Sequence, residues 1–255
     1  MTEQLPGIPV YVINLESATK RWINVQKIFG EAGLSFTRVP AVDGKTLRWT
    51  PADYSESWYR SLHGRETNPP EIGCYLSHLE ALRAFLGTGA ELGLICEDDL
   101  DFGADLPKLL TEALALPRFW NVLRLSGLSA GRPVKVRRFY GDHWLCINLD
   151  RIKGSGAYLL DRPAARAFTT RLLPMALPYD HALDREWFYG LTAACVVPFP
   201  ISQRQKKFGS AIQTYAQAKL PTWRRWLTTY PYQAGNEITR WVCRGAFLIW
   251  VKLRG

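Results

Sequence analysis

The stretch LGLICEDD, residues 92–99, is a short apolar run that ends directly in three acidic residues, Glu97, Asp98 and Asp99. A continuous apolar run of this length is typical of a strand that is buried on both faces of a parallel sheet. Ligands of such sheets lie beyond the carboxyl ends of the strands, which is where the acidic triplet falls. The stretch therefore predicts an α/β protein with a binding site at the triplet.

Predicted strands and helices alternate on both sides of this run. Before it we predict a strand at 8–14 followed by a helix, a strand at 35–40, and helices at 52–60 and 71–86. After it we predict a helix at 105–116, a strand at 121–125, a hairpin at 134–148, a strand at 157–160, helices at 163–173 and 181–189, and a strand at 194–197. This alternation indicates an open, mostly parallel sheet flanked by helices.

Composition favours a folded protein of the cytosol. The 255 residues are 47% hydrophobic, enough to bury a sizeable core within one large domain. The 5 cysteines are odd in number and far apart, as expected in a reducing compartment. The first residues lack a basic segment followed by an apolar one, so we expect no signal peptide.

The positive charge is concentrated at the C-terminal end. The net charge is +9, and residues 199–255 contain many Lys and Arg residues but only one acid, Glu237. Their mixture of Arg, Trp and Tyr suits an anionic membrane surface, although a solvated basic tail is the alternative. The apolar stretch 241–251 is interrupted by Arg244 and would extend only about 16 Å as a helix, too short to cross a bilayer. We therefore predict two parts, a catalytic domain at 1–198 and a basic, aromatic, helical extension at 199–255 that binds a membrane surface.

The acidic triplet is predicted to bind a divalent cation. Glu97, Asp98 and Asp99, with Asp101 close by, place like charges together, which is unfavourable unless a cation neutralises them. Mg²⁺ and Mn²⁺ prefer oxygen ligands and take the rest of their shell from phosphate and water. Side chains alternate along a strand end, so Asp99, with Glu97 on the same side, is the predicted metal ligand. An ordinary acidic loop is the alternative.

Several further motifs occur in a fixed order around the triplet. They are VYVINLESATKR at 10–21, AVDG at 41–44, PPEIGCYLSHLEAL at 69–82, GSGAYLLDRPAARAF at 154–168 and PYDH at 178–181. In this order and spacing they resemble glycosyltransferase family 25, the lipooligosaccharide sugar transferases that also include the collagen galactosyltransferases. The resemblance covers roughly residues 8–203 and leaves out the basic tail.

The resemblance implies a type A glycosyltransferase fold, a UDP-sugar donor, Mn²⁺ or Mg²⁺, and inversion at the anomeric carbon. The residues that match the family's donor-binding motifs are Asn14, Leu15, Arg21, Asp43, Ser77, His78, Glu97 and Asp98, with Glu71 in the same helix motif. The residues that match its acceptor-side loop are Gly154, Gly156 and Tyr158. For His78, a purely structural role is an equal alternative.

Inversion in one displacement needs a base that takes the proton of the acceptor hydroxyl. Asp180, in the PYDH motif, is the predicted base, and Asp184, one helical turn later, is the reserve. Either acid also fits a structural role as a helix cap or first-turn charge. His181 is expected to orient the acceptor or to reach the metal.

Gln203, Lys206 and Lys207 follow these motifs in the sequence. No histidine follows His181, so Gln203 or water is expected to complete the metal shell. Lys206 and Lys207 can reach a diphosphate, but a solvated surface is the favoured interpretation.

Together these expectations describe an inverting hexosyltransferase, with UDP-galactose as the first choice of donor and a lipooligosaccharide or other bacterial cell-surface glycan as acceptor. We expect it on the inner face of the cell membrane. The alternatives are a metal-dependent phosphohydrolase or nucleotidyltransferase, which also gather carboxylates at strand ends, and a non-catalytic module that binds membrane or nucleic acid. A nucleic-acid partner is disfavoured because the acidic triplet repels phosphate.

Overall fold

The computed structural model describes residues 8–103, 105–115, 118–129, 131–203 and 218–254. Its strands are β1 Val10–Asn14, β2 Thr37–Pro40, β3 Leu92–Cys96, β4 Leu100–Phe102, β5 Val122–Arg124, β6 Pro133–Arg138, β7 Trp144–Asn148, β8 Ala157–Asp161, β9 Ala193–Val197 and β10 Ile201–Gln203. Its helices are α1 Thr19–Glu31, α2 Glu56–His63, α3 Pro69–Leu86, α4 Leu106–Ala115, α5 Arg162–Arg171, α6 Tyr179–Leu183, α7 Thr222–Leu227 and α8 Thr229–Arg254, with a 3-10 helix at Glu186–Tyr189.

Eight strands form one sheet in the order β2-β1-β3-β8-β5-β9-β7-β6. β1 is parallel to β2 and β3, and β5 is parallel to β9. β8 runs antiparallel between β3 and β5, and β7 runs antiparallel between β9 and β6. The predicted mostly parallel α/β sheet is confirmed, and the carboxyl ends of β1 and β3 lie side by side at one edge.

Side-chain alternation places helices on both faces of this sheet. In β1, Val10 and Val12 belong to the core that includes α1 and α4, whereas Tyr11 and Ile13 belong to the core that includes α3 and α5. All five residues of β1 are buried, as expected for a strand covered on both sides. The sheet is therefore the middle layer of three.

The helix α3 follows from its sequence. Prolines occupy its first positions, where the missing N–H costs no hydrogen bond, and Gly87 ends it. Its apolar residues recur at helical spacing, and Ile72, Leu79 and Phe85 are almost completely buried. This packing holds the motif PPEIGCYLSH against the carboxyl ends of the strands.

The short sheet β4-β10 was not predicted. β10 pairs antiparallel with β4, and Gln203 lies opposite Leu100. The pairing brings residues just after the predicted boundary at 198 back to the acidic triplet. The predicted helix at 181–189 is in fact two short pieces, α6 and the 3-10 helix.

From Thr222 onwards the C-terminal tail forms the helices α7 and α8, as predicted, and α8 packs against the rest of the chain. The hydroxyl of Thr229 donates to the carbonyl of Ser61 at 2.8 Å, and Arg240 and Arg244 are almost completely buried. Within the described part of the chain, no helix combines the length and the apolar character needed to cross a membrane.

Candidate active site

A cleft of about 810 Å³ opens beyond the carboxyl ends of β1 and β3. The predicted site residues that line it are Leu15, Arg21, Asp43, Ser77, His78, Glu97, Asp98, Asp99, Gly154, Asp180 and His181, together with Glu71 and Gln203. The other predicted residues, Asn14, Gly156, Tyr158 and Asp184, are not among its lining residues. Most of the motifs therefore meet in one place, as expected at this edge of the sheet.

Asp98 is held by two partners from the first motif. Its carboxylate accepts a hydrogen bond from the side-chain amide of Asn14 at 2.7 Å and pairs with Arg21 at 2.8 Å. Arg38 in turn donates to the Asn14 side-chain oxygen at 2.6 Å. The hydrogen bond between Asn14 and Asp98 therefore joins β1 to the end of β3 and fixes the shape of the cleft wall.

Glu97 points the other way, towards α3 and the glycine-containing loop. It accepts a hydrogen bond from the Ser155 hydroxyl at 2.7 Å, and its Oε1 lies 3.5 Å from Nε2 of His78. Burial acts to raise the pKa of Glu97, but the interactions with His78 and Ser155 outweigh it and lower the pKa. Glu97 is therefore held as a carboxylate.

His78 is completely buried beneath the cleft. Its Nδ1 lies 3.0 Å from the hydroxyl of Tyr158, and its ring stacks on Tyr179 with centroids 4.0 Å apart. The Tyr158 and Tyr179 hydroxyls are 2.8 Å apart. Tyr158 thus reaches the site only through His78 and Tyr179, so its predicted direct contact with an acceptor is not supported by the geometry.

Asp99 has the surroundings of a metal ligand. It is buried, and its Oδ1 has no hydrogen-bond partner among the residues that the structure describes. Burial, followed by the charge of Glu97, raises the pKa of Asp99 to about 7, despite the opposing charge of Arg21. A divalent cation beside Asp99 would satisfy this oxygen and offset the repulsion, so the residues fit such a group.

Gln203 is the second residue whose free oxygen suits a cation. Its Nε2 lies 3.5 Å from Oε2 of Glu97, and its Oε1 is buried without a hydrogen-bond partner in the described part of the chain. β10 brings it here, and it passes directly over Gly156, where a side chain would come within 2.5 Å of the Gln203 amide nitrogen. This explains the glycine at 156. Lys206 and Lys207 lie outside the described residues.

Cys74 adds a softer ligand near Glu97. The Cys74 sulfur, a His78 ring nitrogen and a Glu97 oxygen lie within 4.8 Å of one another. Burial raises the pKa of the Cys74 thiol, which therefore stays protonated at neutral pH without a metal. Asp99 and Glu97 remain the better match for Mn²⁺ or Mg²⁺, which prefer oxygen over sulfur.

The turn AVDG packs directly on the start of α3. The Ser77 hydroxyl accepts from the Val42 N–H at 2.8 Å and donates to the Gly73 carbonyl at 2.6 Å. A side chain on Gly44 would lie 1.8 Å from the Pro69 carbonyl oxygen. Ser77 therefore supports the turn, which leaves the exposed Asp43 at the cleft rim.

Asp180 lies beneath the glycine-containing loop. Its Oδ2 accepts from the Gly154 N–H at 3.1 Å, and Gly154 has the positive φ of 83° that favours glycine. Burial acts to raise the pKa of Asp180, but the charge of His181, the Gly154 N–H and Arg151 together lower it. Asp180 is therefore an ionised carboxylate in the cleft, as a base requires.

His181 is held beside Asp180 by Arg151. Arg151 donates to Nε2 of His181 at 2.8 Å. The His63 ring packs edge-on against the His181 ring, with ring centroids 5.3 Å apart. Burial, and then the charges of His181 and Arg65, lower the pKa of His63 to about 3, so His63 is neutral. Both histidines line the cleft, as does Arg65.

The position of Asp184 argues against its assignment as reserve base. Asp184 is 2% exposed and accepts from the Ile152 N–H at 3.1 Å. Arg240 and Arg244 of α8 each approach it to 3.1 Å, and Arg244 also forms two 2.8 Å contacts with Glu186. Asp184 therefore joins the tail helix to the loop that carries Gly154, and Asp180 is left as the candidate base.

Replacing Arg244 with methionine is expected to lower the free energy of unfolding by about 3 kcal/mol, because Asp184 and Glu186 would keep buried charges without their shared partner. Chemical denaturation measures the loss. Arg254→Met on the exposed end of the same helix is the control, and it should change stability by less than about 0.5 kcal/mol. Equal stability of the two variants would contradict the structural role of Arg244.

Sequence reasoning missed several cleft residues, namely Lys45, His63, Arg65, Cys74 and Ser155. Cys74 precedes His78 by one helical turn, and that spacing was the available signal. His63 and Arg65 fall in a stretch without periodicity, so only the packing of α2 against the cleft reveals them.

Known proteins give independent support for the motifs. The family model described as glycosyltransferase family 25 (LPS biosynthesis protein) matches residues 7–183. A glycosyltransferase 25 family member of Anopheles gambiae is 34% identical in an alignment of 103 residues that covers 36% of this chain and 17% of that protein. Procollagen galactosyltransferase 1 of Danio rerio is 28% identical in an alignment of 135 residues that covers 48% of this chain and 22% of that protein.

A solved structure is distantly similar to this chain. It is a Drosophila β-1,4-galactosyltransferase 7 mutant in complex with manganese, UDP-galactose and xylobiose, with a TM-score of 0.39 and 12% identity over 78% of this chain and 68% of that one. The curated relatives are several times longer than the segments they share with this chain. Since the family model covers well over half of the sequence, the chain belongs to glycosyltransferase family 25.

Proposed function

We propose that the protein is an inverting, metal-assisted hexosyltransferase that moves galactose from UDP-galactose to a hydroxyl of a lipooligosaccharide or other bacterial cell-surface glycan. The observation that carries the proposal is a single cleft that contains Asp99, with a buried oxygen that no described residue hydrogen-bonds, and Asp180, an ionised carboxylate. Family membership supports sugar transfer. The relative named procollagen galactosyltransferase makes galactose the first choice of sugar.

Asp99 and Glu97 are the proposed metal ligands, and the free Gln203 oxygen is the proposed third. Asp99 is 4% exposed and the Glu97 side chain 25% exposed, which excludes much of the water that would otherwise weaken the attraction for a cation. Mn²⁺ or Mg²⁺ bound there would supply positive charge to the departing diphosphate. Leu15, Arg21 and the Asp43 rim then form the proposed wall for the nucleotide.

Asp180 is the proposed base. The Gly154 N–H and Arg151 favour its ionised form, so it can accept the proton of an acceptor hydroxyl at neutral pH. As the hydroxyl oxygen bonds to the anomeric carbon, the bond from that carbon to the diphosphate breaks on the opposite face. His181, held by Arg151, is the proposed group that orients the acceptor.

The proposed location is the cytoplasmic, inner face of the cell membrane. Glycolipid acceptors are anchored in a bilayer, and the family model's description as an LPS biosynthesis protein agrees with such an acceptor. The surplus of basic residues after residue 198 fits a membrane rich in anionic lipid.

The test is a screen of UDP-sugars by UDP release, with and without lipooligosaccharide, in Mn²⁺ and in EDTA. UDP-galactose is expected to give the largest acceptor-dependent release, which EDTA abolishes, and the product should have the anomeric configuration opposite to the donor's. Release of phosphate or pyrophosphate without sugar transfer would contradict the proposal and support a phosphohydrolase or nucleotidyltransferase instead.

A further inference from the structure

The outward face of α8 is an exposed apolar stripe. Ile238, Val242, Ile249 and Leu253 are 66, 65, 62 and 81% exposed. Their spacings of four and seven place them on one side of the helix. The stripe extends over about 22 Å, at 1.5 Å per residue. An ordinary surface helix faces its apolar side inwards, so this arrangement needs a separate explanation.

Four exposed tryptophans lie on α7 and α8. Trp241 and Trp250 of α8 flank the stripe and are 51 and 43% exposed. Trp223 and Trp226 of α7, at the beginning of the tail, are 65 and 66% exposed. Tryptophan is the residue that settles most readily between lipid headgroups and acyl chains. We call these four tryptophans and the four stripe residues the tail surface.

The opposite side of α8 is fixed in place. Arg240 and Arg244 point inwards to Asp184 and Glu186, and Val251 is buried. Turning the stripe inwards would expose these ion pairs and break them. The stripe therefore faces outwards as a consequence of the fold, in a helix that already has an inner face.

The charge beside the tail surface is positive. Arg240 and Arg244 are paired internally, whereas Lys219, Lys252 and Arg254 are exposed. Glu237, the single acid of the tail, pairs with Arg240. Exposed cations of a tail that contains one acid, together with an apolar, Trp-rich stripe, complement an anionic bilayer better than another protein surface, where such charges need acidic partners.

We propose that the tail surface binds anionic lipid bilayers, with α8 lying parallel to the membrane plane and its stripe inserted at the boundary of headgroups and acyl chains. Lys252 and Arg254 contact lipid phosphates, and the tryptophans lie at headgroup depth. The inference deepens the proposed location of the enzyme but is independent of the proposed chemistry, because no cleft residue takes part.

The test is co-sedimentation of the full chain with phosphatidylcholine vesicles that contain about one third phosphatidylglycerol, the anionic lipid. Wild-type protein should bind these vesicles and bind pure phosphatidylcholine vesicles weakly. Val242→Glu and Ile249→Glu together should weaken binding at least about tenfold, since each puts a charge into an apolar contact. Ile23→Glu, at an equally exposed position on α1, is the matched control and should bind as wild type does.

The charge contribution has its own pair of variants. The double variant Lys252→Glu, Arg254→Glu should bind the anionic vesicles more weakly than wild type, and its binding should depend less on salt concentration. Lys27→Glu on α1 should change neither quantity. UDP release from soluble donor, measured without vesicles, should stay unchanged in all variants, so loss of binding is distinguishable from failure of the enzyme.

Two results would overturn the proposal. The first is wild-type protein that does not bind the anionic vesicles, or stripe variants that bind as well as Ile23→Glu. The second is a wild-type protein that forms a dimer in analytical ultracentrifugation and does not bind vesicles, while Val242→Glu is a monomer. The stripe would then contact a second copy of the chain.

Discussion

Asp99→Asn is expected to abolish metal-dependent donor binding and to reduce UDP release from UDP-galactose roughly 1000-fold, since it removes the proposed main ligand of the cation and with it the positive charge that would stabilise the departing diphosphate. The neutral amide keeps the shape of the side chain. Titration of the variant with UDP in the presence of Mn²⁺ measures the loss. In EDTA, the wild type and the variant should bind UDP equally weakly.

The stability of the variant separates this effect from misfolding. The pKa of Asp99 is raised to about 7 in the folded state. Between the ordinary pKa of an aspartate and pH 7, the folded protein therefore keeps a proton on Asp99 that the unfolded chain has already lost. Ionised Asp99 therefore costs stability above pH 7, and the cost disappears in Asp99→Asn. At pH 8 in EDTA the variant should be at least as stable as wild type by thermal unfolding.

Asp101→Asn is the matched control for position. Asp101 belongs to the same acidic segment but lies on β4, outside the residues that line the cleft. It should retain Mn²⁺-dependent UDP binding. If Asp99→Asn retained it as well, the metal site would have to be placed elsewhere, and the Cys74, His78 and Glu97 cluster would be the next candidate.

The features that were predicted from sequence are the local ones. β3 could be predicted because its five consecutive apolar residues fill both faces of the sheet, and the acidic triplet follows at its carboxyl end. α3 was readable from its helical periodicity and its prolines. The opposite orientations of Glu97 and Asp98 follow from alternation at a strand end, and the structure has them facing Ser155 and Asn14 respectively.

The features that were not predicted depend on contacts between distant segments. Gln203 was expected at the metal, but the pairing of β10 with β4 that brings it to the site was not predicted, because strands of three residues have no recognisable pattern. Asp184 was the reserve base in sequence, and its ion pairs with Arg240 and Arg244, far along the chain, reveal that its carboxylate is used internally. The tail's basic composition likewise concealed that Arg240 and Arg244 face inwards, which leaves the apolar stripe outside.

Asp180→Asn is expected to leave UDP and Mn²⁺ binding intact and to lower turnover with acceptor by about 10³-fold, since general-base catalysis contributes roughly this much. The asparagine oxygen can still accept from the Gly154 N–H, so the loop should keep its conformation. The effect should appear in kcat, because the proton leaves only in the transition state. Steady-state UDP release at saturating donor, compared with UDP affinity, separates the two quantities.

Glu71→Gln is the variant that tests a rival base. Glu71 lines the same cleft, and burial raises its pKa, which suits a proton acceptor near neutral pH, but its carboxylate already accepts a hydrogen bond from the Tyr59 hydroxyl. If Asp180 is the base, Glu71→Gln should change kcat far less than Asp180→Asn. Full turnover in Asp180→Asn together with a large loss in Glu71→Gln would transfer the role to Glu71. The geometry favours Asp180, because its carboxylate is ionised and held by the loop that also lines the cleft at Gly154.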